Sequence, residues 1–272
     1  MRFLALAVLL AGPWSCSDPN AEAVRAADRL YREQQWEEAA TAYKELPQGV
    51  GEWRGYGAWR AGVIYRDPLG DPARAKKQFH SCSREFDDDE WGYSCLVELG
   101  DLARDTGDPR AAIDAYRSAV ELRPMGQWSE HCLMESGKAY GALGEHEQSR
   151  REWGELLSRF GRSARVPEVE LAIARSYDLQ GDPKEARRAF QRVYRKNPKH
   201  SVAPLALFGE AEALEQLGEL DKALALYERV RTLHPNPPVV DRKLTSIRER
   251  QSRRDVNPDA GEVPDSGRKY RR

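Results

Sequence analysis

The 272-residue sequence predicts an all-α fold, a stack of about six helical hairpins followed by one closing helix. Three observations carry that expectation. Small residues recur at Ala112, Ser149, Ala186 and Ala223, and an aromatic follows each four residues later, at Tyr116, Trp153, Phe190 and Tyr227. Both columns step by 37 residues, the mark of a repeat architecture. Gly-acid pairs (Gly107-Asp108, Gly144-Glu145, Gly181-Asp182, Gly218-Glu219) precede each small residue at a fixed distance. Composition agrees: 32% charged and 40% hydrophobic residues suit repeats that each bury one stripe.

The elements follow in chain order. Residues 1–15 read as a secretory signal: Arg2 precedes a short apolar run from Phe3 to Ala11, too short to span a bilayer. Gly12-Pro13 stops any helix there. Cys16 comes next, after the small Ser15, and the arrangement resembles a bacterial lipoprotein signal, although Pro13 and Trp14 depart from the usual pattern. That resemblance implies lipidation of Cys16, with residues 16–19 as a linker and a membrane anchor in place of a soluble secreted form. Ser17 following Cys16 implies the outer membrane, by the same analogy.

The repeat domain spans 20–254. Its first hairpin, 20–48, has Ala39 and Tyr43 in the two columns and Gln34-Gln35 at the turn; Leu46 to Gly51 form a connecting loop. The second, 55–88, carries Ala75 and Phe79 and a longer turn at Asp67 to Pro72. Four regular units occupy 93–126, 130–163, 167–200 and 204–237. In each, Gly supplies the left-handed residue that ends the first helix, and the acid beside it suits the start of the second. Small residue and aromatic then share a face at i and i+4. Pro124, Pro198 and Pro235 close three units and Gly161 the fourth. A capping helix over 238–254 places Val240, Leu244 and Ile247 on one face. Residues 255–272 read as a disordered tail with a basic, solvated end at Arg268 to Arg272.

These columns resemble the tetratricopeptide repeat, and the 37-residue spacing resembles the longer form found in bacterial envelope proteins such as BamD and the coordinator once called YbgF. The stretch from Arg188 through Pro198 to Pro235 is the closest match. The resemblance implies a TPR-like α-solenoid whose first helices line a concave, partner-binding face. Carried over in register, that face takes Tyr56, Trp59 and Arg66, then Val97, Asp101 and Arg104, then His131, Met134 and Lys138. It continues with Leu171, Arg175 and Asp178, then Leu205, Phe208 and Glu212. Arg66, Arg104, Lys138 and Arg175 are expected to form a cationic row, with Trp59, Met134 and Phe208 as apolar anchors. The competing reading has the aromatics packing between hairpins and the cations paired with Asp101, Asp105 and Asp178.

Cys82 and Cys95 fall on helices expected to pack against each other, so they are either bonded or two buried thiols; Cys132 is left over. No catalytic, metal or cofactor pattern stands out. The five histidines (His80, His131, His146, His200, His234) form no zinc-type pair, and His146, His200 and His234 are placed at the surface near hairpin ends. Asp87-Asp88-Asp89-Glu90 reads as a solvated loop or an acidic helix start. A net charge of -1 gives no nucleic-acid footprint. The expected function is a non-enzymatic scaffold holding protein partners in the cell envelope. The alternatives are a soluble periplasmic or secreted binder of peptidoglycan or another polymer, and an accessory subunit of an enzyme complex.

Overall fold

A computed structural model describes residues 19–46 and 52–256. The signal at 1–15, Cys16, most of the 46–51 loop and the tail from 257 lie outside the described residues. Thirteen α-helices and no strand occur among those described. They are α1 (Pro19–Arg32), α2 (Trp36–Lys44), α3 (Glu52–Arg66), α4 (Pro72–Glu85), α5 (Glu90–Asp105), α6 (Pro109–Leu122) and α7 (Ser129–Ala142). Then come α8 (His146–Arg159), α9 (Val166–Leu179), α10 (Pro183–Lys196), α11 (Val202–Gln216), α12 (Leu220–Val230) and α13 (Pro237–Val256). The last runs two residues into the expected tail. The fold is all-α, with helices in consecutive hairpins and α13 closing the series.

The chain divides into two compact units. The first runs to Asp108 and includes Glu121–Pro124; the second holds Pro109–Val120 and the chain from Met125 onward. In the first, α2 packs on α1 and α3, and α4 on α3 and α5. In the second, each of α7 to α13 packs on the next, and α9 also reaches α11.

The two columns are the core. Ala39, Ala75, Ala112, Ser149, Ala186 and Ala223 are all fully buried, and so, almost completely, are Tyr43, Phe79, Tyr116, Trp153, Phe190 and Tyr227. Glycines give the large rings room. A side chain at Gly62 would strike Phe79, and one at Gly137 would strike the Trp153 indole. Gly107, Gly144, Gly181 and Gly218 hold φ between 75° and 82° at the turns, where a β-carbon is disfavoured. In the first hairpin Gln34 takes that conformation, at φ 62°.

The acid after each turn glycine behaves in two ways. Asp182 caps α10 by accepting from the Glu185 amide at 3.1 Å, and Asp71 caps α4 through the Arg74 amide at 2.9 Å. Glu145 and Glu219 make no such bond. Their side chains reach away, Glu145 to Arg110 at 3.4 Å and Glu219 to Arg187 at 2.8 Å. In the acidic run, Asp89 caps α5, accepting from the Trp91 and Gly92 amides at 2.7 and 3.0 Å. α13 buries Val240, Leu244 and Ile247 against a core that includes Leu207, Ala211 and Tyr227.

Candidate functional site

An open groove of about 1200 Å³ lies within the second unit, lined by α7, α8, α9, the start of α11 and the segment after α12. Its apolar lining includes Met134, Trp153, Leu171 and Leu205. Leu179 and Leu233 also line it and remain 70% and 59% exposed. Trp153 is positioned by its column: the indole lies over Gly137, and its Nε1 donates to the Met134 carbonyl at 3.2 Å. Met134, Trp153 and Leu171 are buried, so Leu179 and Leu233 are the large apolar side chains that this concavity leaves exposed among the described residues.

The polar lining is unevenly satisfied. Lys138 pairs with Glu135 at 2.7 Å, and Glu168 approaches His200 at 3.8 Å. Arg165 and Arg175, both exposed and both lining the groove, have no ion pair among the described residues. Glu135 and Glu168 line the same groove without reaching either guanidinium. His146 and Ser149 line the groove from α8, and His146 Nδ1 and Ser149 Oγ are buried without a hydrogen-bond partner. Gly141 of α7 stands close by; a β-carbon there would come to 3.4 Å from Ser149 Oγ.

Of the residues expected on a binding face, His131, Met134, Lys138 and Arg175 meet in this groove, together with Leu171 and Leu205. His131 also sets its ring edge-on to Tyr116, with centroids 5.8 Å apart. Phe208 does not join them. It packs against Tyr227 and His234, at 5.4 and 4.7 Å between centroids, as part of the core beneath α13. Glu212 is taken by Lys243 of α13 at 3.2 Å. Burial pushes the Glu212 carboxyl above its ordinary range, and Lys243 opposes that shift. Of the sixth hairpin's expected share of the face, Leu205 alone stays in the groove, while the capping helix takes Glu212.

Tyr56, Trp59, Arg66 and Arg104 belong to the first unit. Trp53, Tyr56 and Trp59 of α3 gather with Trp91 of α5, Tyr56 and Trp91 standing 5.3 Å apart and Trp59 and Trp91 5.9 Å. Gly55 makes the room, since a β-carbon there would overlap the Trp91 side chain. Trp59 Nε1 donates to Glu98 at 3.1 Å, and Arg66 bonds the other oxygen of the same carboxylate and also Asp67 at 2.7 Å. Arg104 pairs with Asp101 at 2.8 Å and Asp105 at 2.9 Å. Three members of the expected cationic row are thus neutralised by acids, leaving Arg175 as its unpaired member.

Cys82 of α4 and Cys95 of α5 are bonded, with Cα atoms 6.1 Å apart; Cys132 lies outside that bond and is buried. No group of three or more His, Cys, Asp or Glu side chains is placed to hold a metal ion among the described residues. No described helix is long and apolar enough to cross a membrane.

Sequence reasoning missed Trp53, Trp91 and Arg165. It also placed His146 at the surface; as the first residue of α8 it lines the groove with Nδ1 buried.

Two segments match models of the tetratricopeptide repeat, residues 93–124 and residues 171–238. No curated protein matches the chain. Among solved structures, a tetratricopeptide repeat protein from Parabacteroides merdae is similar at 16% identity and a TM-score of 0.55, over 87% of this chain and 90% of that one. The apo form of RapI is similar at 13% identity and a TM-score of 0.62, over 88% of this chain and 73% of that one. MamA is similar at 19% identity and a TM-score of 0.52, over 66% of this chain and 92% of that one. At these identities the likeness is one of fold.

Proposed function

We propose that the chain is a non-enzymatic scaffold of the bacterial cell envelope that holds a protein partner by a segment lying in the groove of the second unit. The observation that carries this reading is the groove itself. It combines exposed Leu179 and Leu233, a floor with Met134 and Trp153, and the two unpaired cations Arg165 and Arg175. Aromatic, Met and Arg side chains are enriched where proteins bind one another. Tetratricopeptide-type hairpins offer such a concavity without any chemistry of their own, and function on this fold rests on the site.

The envelope assignment has two supports. One is the signal-like start followed by Cys16. The other is the Cys82–Cys95 bond, which suits an oxidising compartment outside the cytosol. A lipidated Cys16 tethers the protein to the outer membrane facing the periplasm. Kinship with BamD- or YbgF-type proteins fits the same reading.

Crosslinking in intact cells, followed by affinity capture, tests the scaffold. Stoichiometric protein partners are expected, and co-sedimentation with purified cell wall in their absence would favour the polymer-binding alternative. The tether is tested by metabolic labelling with a fatty-acid analogue. Wild type incorporates label into the membrane fraction and Cys16→Ala does not; an unlabelled wild type removes the anchor.

A further inference from the structure

One position in the small-residue column breaks its own pattern. Five hairpins place Ala there, and the fourth places Ser149, equally buried. Alanine packs at such a helix crossing without polar cost. A hydroxyl taken from water and given no partner costs about 1–3 kcal/mol. Ser149 Oγ has no partner, and neither does His146 Nδ1 one turn earlier on the same helix. Both residues line the groove, as does Gly141, whose missing side chain leaves the approach to Ser149 open.

We infer that Gly141, His146 and Ser149 form a notch that hydrogen-bonds a main-chain peptide group of an extended, acidic segment of the partner. This rests on the groove being the partner site, and it names the chemistry of the occupant. A hydroxyl both donates and accepts, and imidazole Nδ1 does either according to tautomer. Together they match the C=O and N–H that an extended chain presents. Absence of a β-carbon at Gly141 is what close approach of a backbone requires.

The cations set the charge and length of the occupant. Arg165 and Arg175 lie ten residues apart on the α9 segment, about 15 Å along a helix axis. An extended chain covers that span in about five residues. The occupant therefore carries carboxylates four to five residues apart, with apolar side chains between them for Met134, Trp153 and Leu205.

The test uses the mature full-length chain and acetylated, amidated fluorescent peptides of the pattern Asp-X-X-X-Asp, with X drawn from apolar residues, read by anisotropy. The wild type is expected to bind members of this set and to prefer them to their Asn and Lys counterparts. Arg175→Glu should weaken the best member about tenfold. Ser149→Ala restores the residue of the other hairpins, so it should raise the melting temperature while weakening that peptide about fivefold. N-methylation of the central peptide amides should weaken binding to the wild type and leave Ser149→Ala nearly unaffected.

A Ser149→Ala protein that is stabilised and binds as before overturns the notch, as does binding without preference for acid, or no binding by any member. Crosslinked partners that survive both substitutions in cells would leave the scaffold standing without this notch. Absence of all partners would remove the scaffold itself.

Discussion

The two units treat the same kind of helix face in opposite ways. In the first, α3 and α5 close on one another. Trp53, Tyr56, Trp59 and Trp91 pack ring to ring, and Glu98 satisfies both the Trp59 indole and Arg66. In the second, α7 and α9 flank a groove whose Arg165 and Arg175 are unpaired and whose buried Ser149 and His146 atoms have no partner. One face has spent its polar groups on itself, and the other has kept them. Side-chain satisfaction thus separates two faces built on the same kind of repeat, one closed on itself and one left open.

The largest effect expected from breaking this contrast is Trp153→Ala. Removing the buried indole should cost about 3–5 kcal/mol in chemical denaturation. The loss of amide-exchange protection should be greatest in α7 and α8, because repeat stability is local. Uniform loss across the chain would contradict that locality. Next comes reduction of Cys82–Cys95, a bond between residues 13 apart. It should cost roughly 3 kcal/mol and act on the first unit, seen as a lowered thermal transition in reductant. Trp153→Ala should be additive with it.

A direct comparison of two arginines is sharper though smaller. Arg66→Ala leaves the half-buried Glu98 without its cation and should destabilise by about 1–3 kcal/mol. Arg175→Ala, at an unpaired surface position, should stay within about 0.5 kcal/mol of wild type. Equal effects would erase the distinction between the two faces. The smallest change concerns the turn of the first hairpin. Gln34→Gly relieves a left-handed residue and should stabilise by about 1 kcal/mol in the same denaturation assay.

Much of the fold was legible because its determinants are local and repeated. The 37-residue columns mark the buried faces, and the turn glycines mark where φ must become positive. The closing helix was legible from Val240, Leu244 and Ile247. The site was only half legible. Register brought His131, Met134, Lys138 and Arg175 to one groove, since spacing along a helix decides which face a residue takes. Register cannot tell what a neighbouring element covers, so Phe208 went to Tyr227 and His234, and Glu212 to Lys243 of α13. It paired Arg104 with Asp101 and Asp105, close neighbours in the chain, but not Arg66 with a carboxylate 32 positions away. Trp91 is accommodated by Gly55, a fit with no signal in the sequence near either residue. Ser149 was visible from the start as a small residue; only its lack of a partner gives the hydroxyl a meaning.

The Cys82–Cys95 bond joins α4 to α5, the last helix of one hairpin to the first of the next. Under the proposed tether at Cys16, a pull from a partner held in the second unit would travel through this join on its way to the membrane. The covalent link carries that load past the intervening residues, removing about 45 Å of chain from what the force can extend. A protein stretched between a membrane and its cargo would then keep α4 joined to α5 even where their non-covalent contacts gave way.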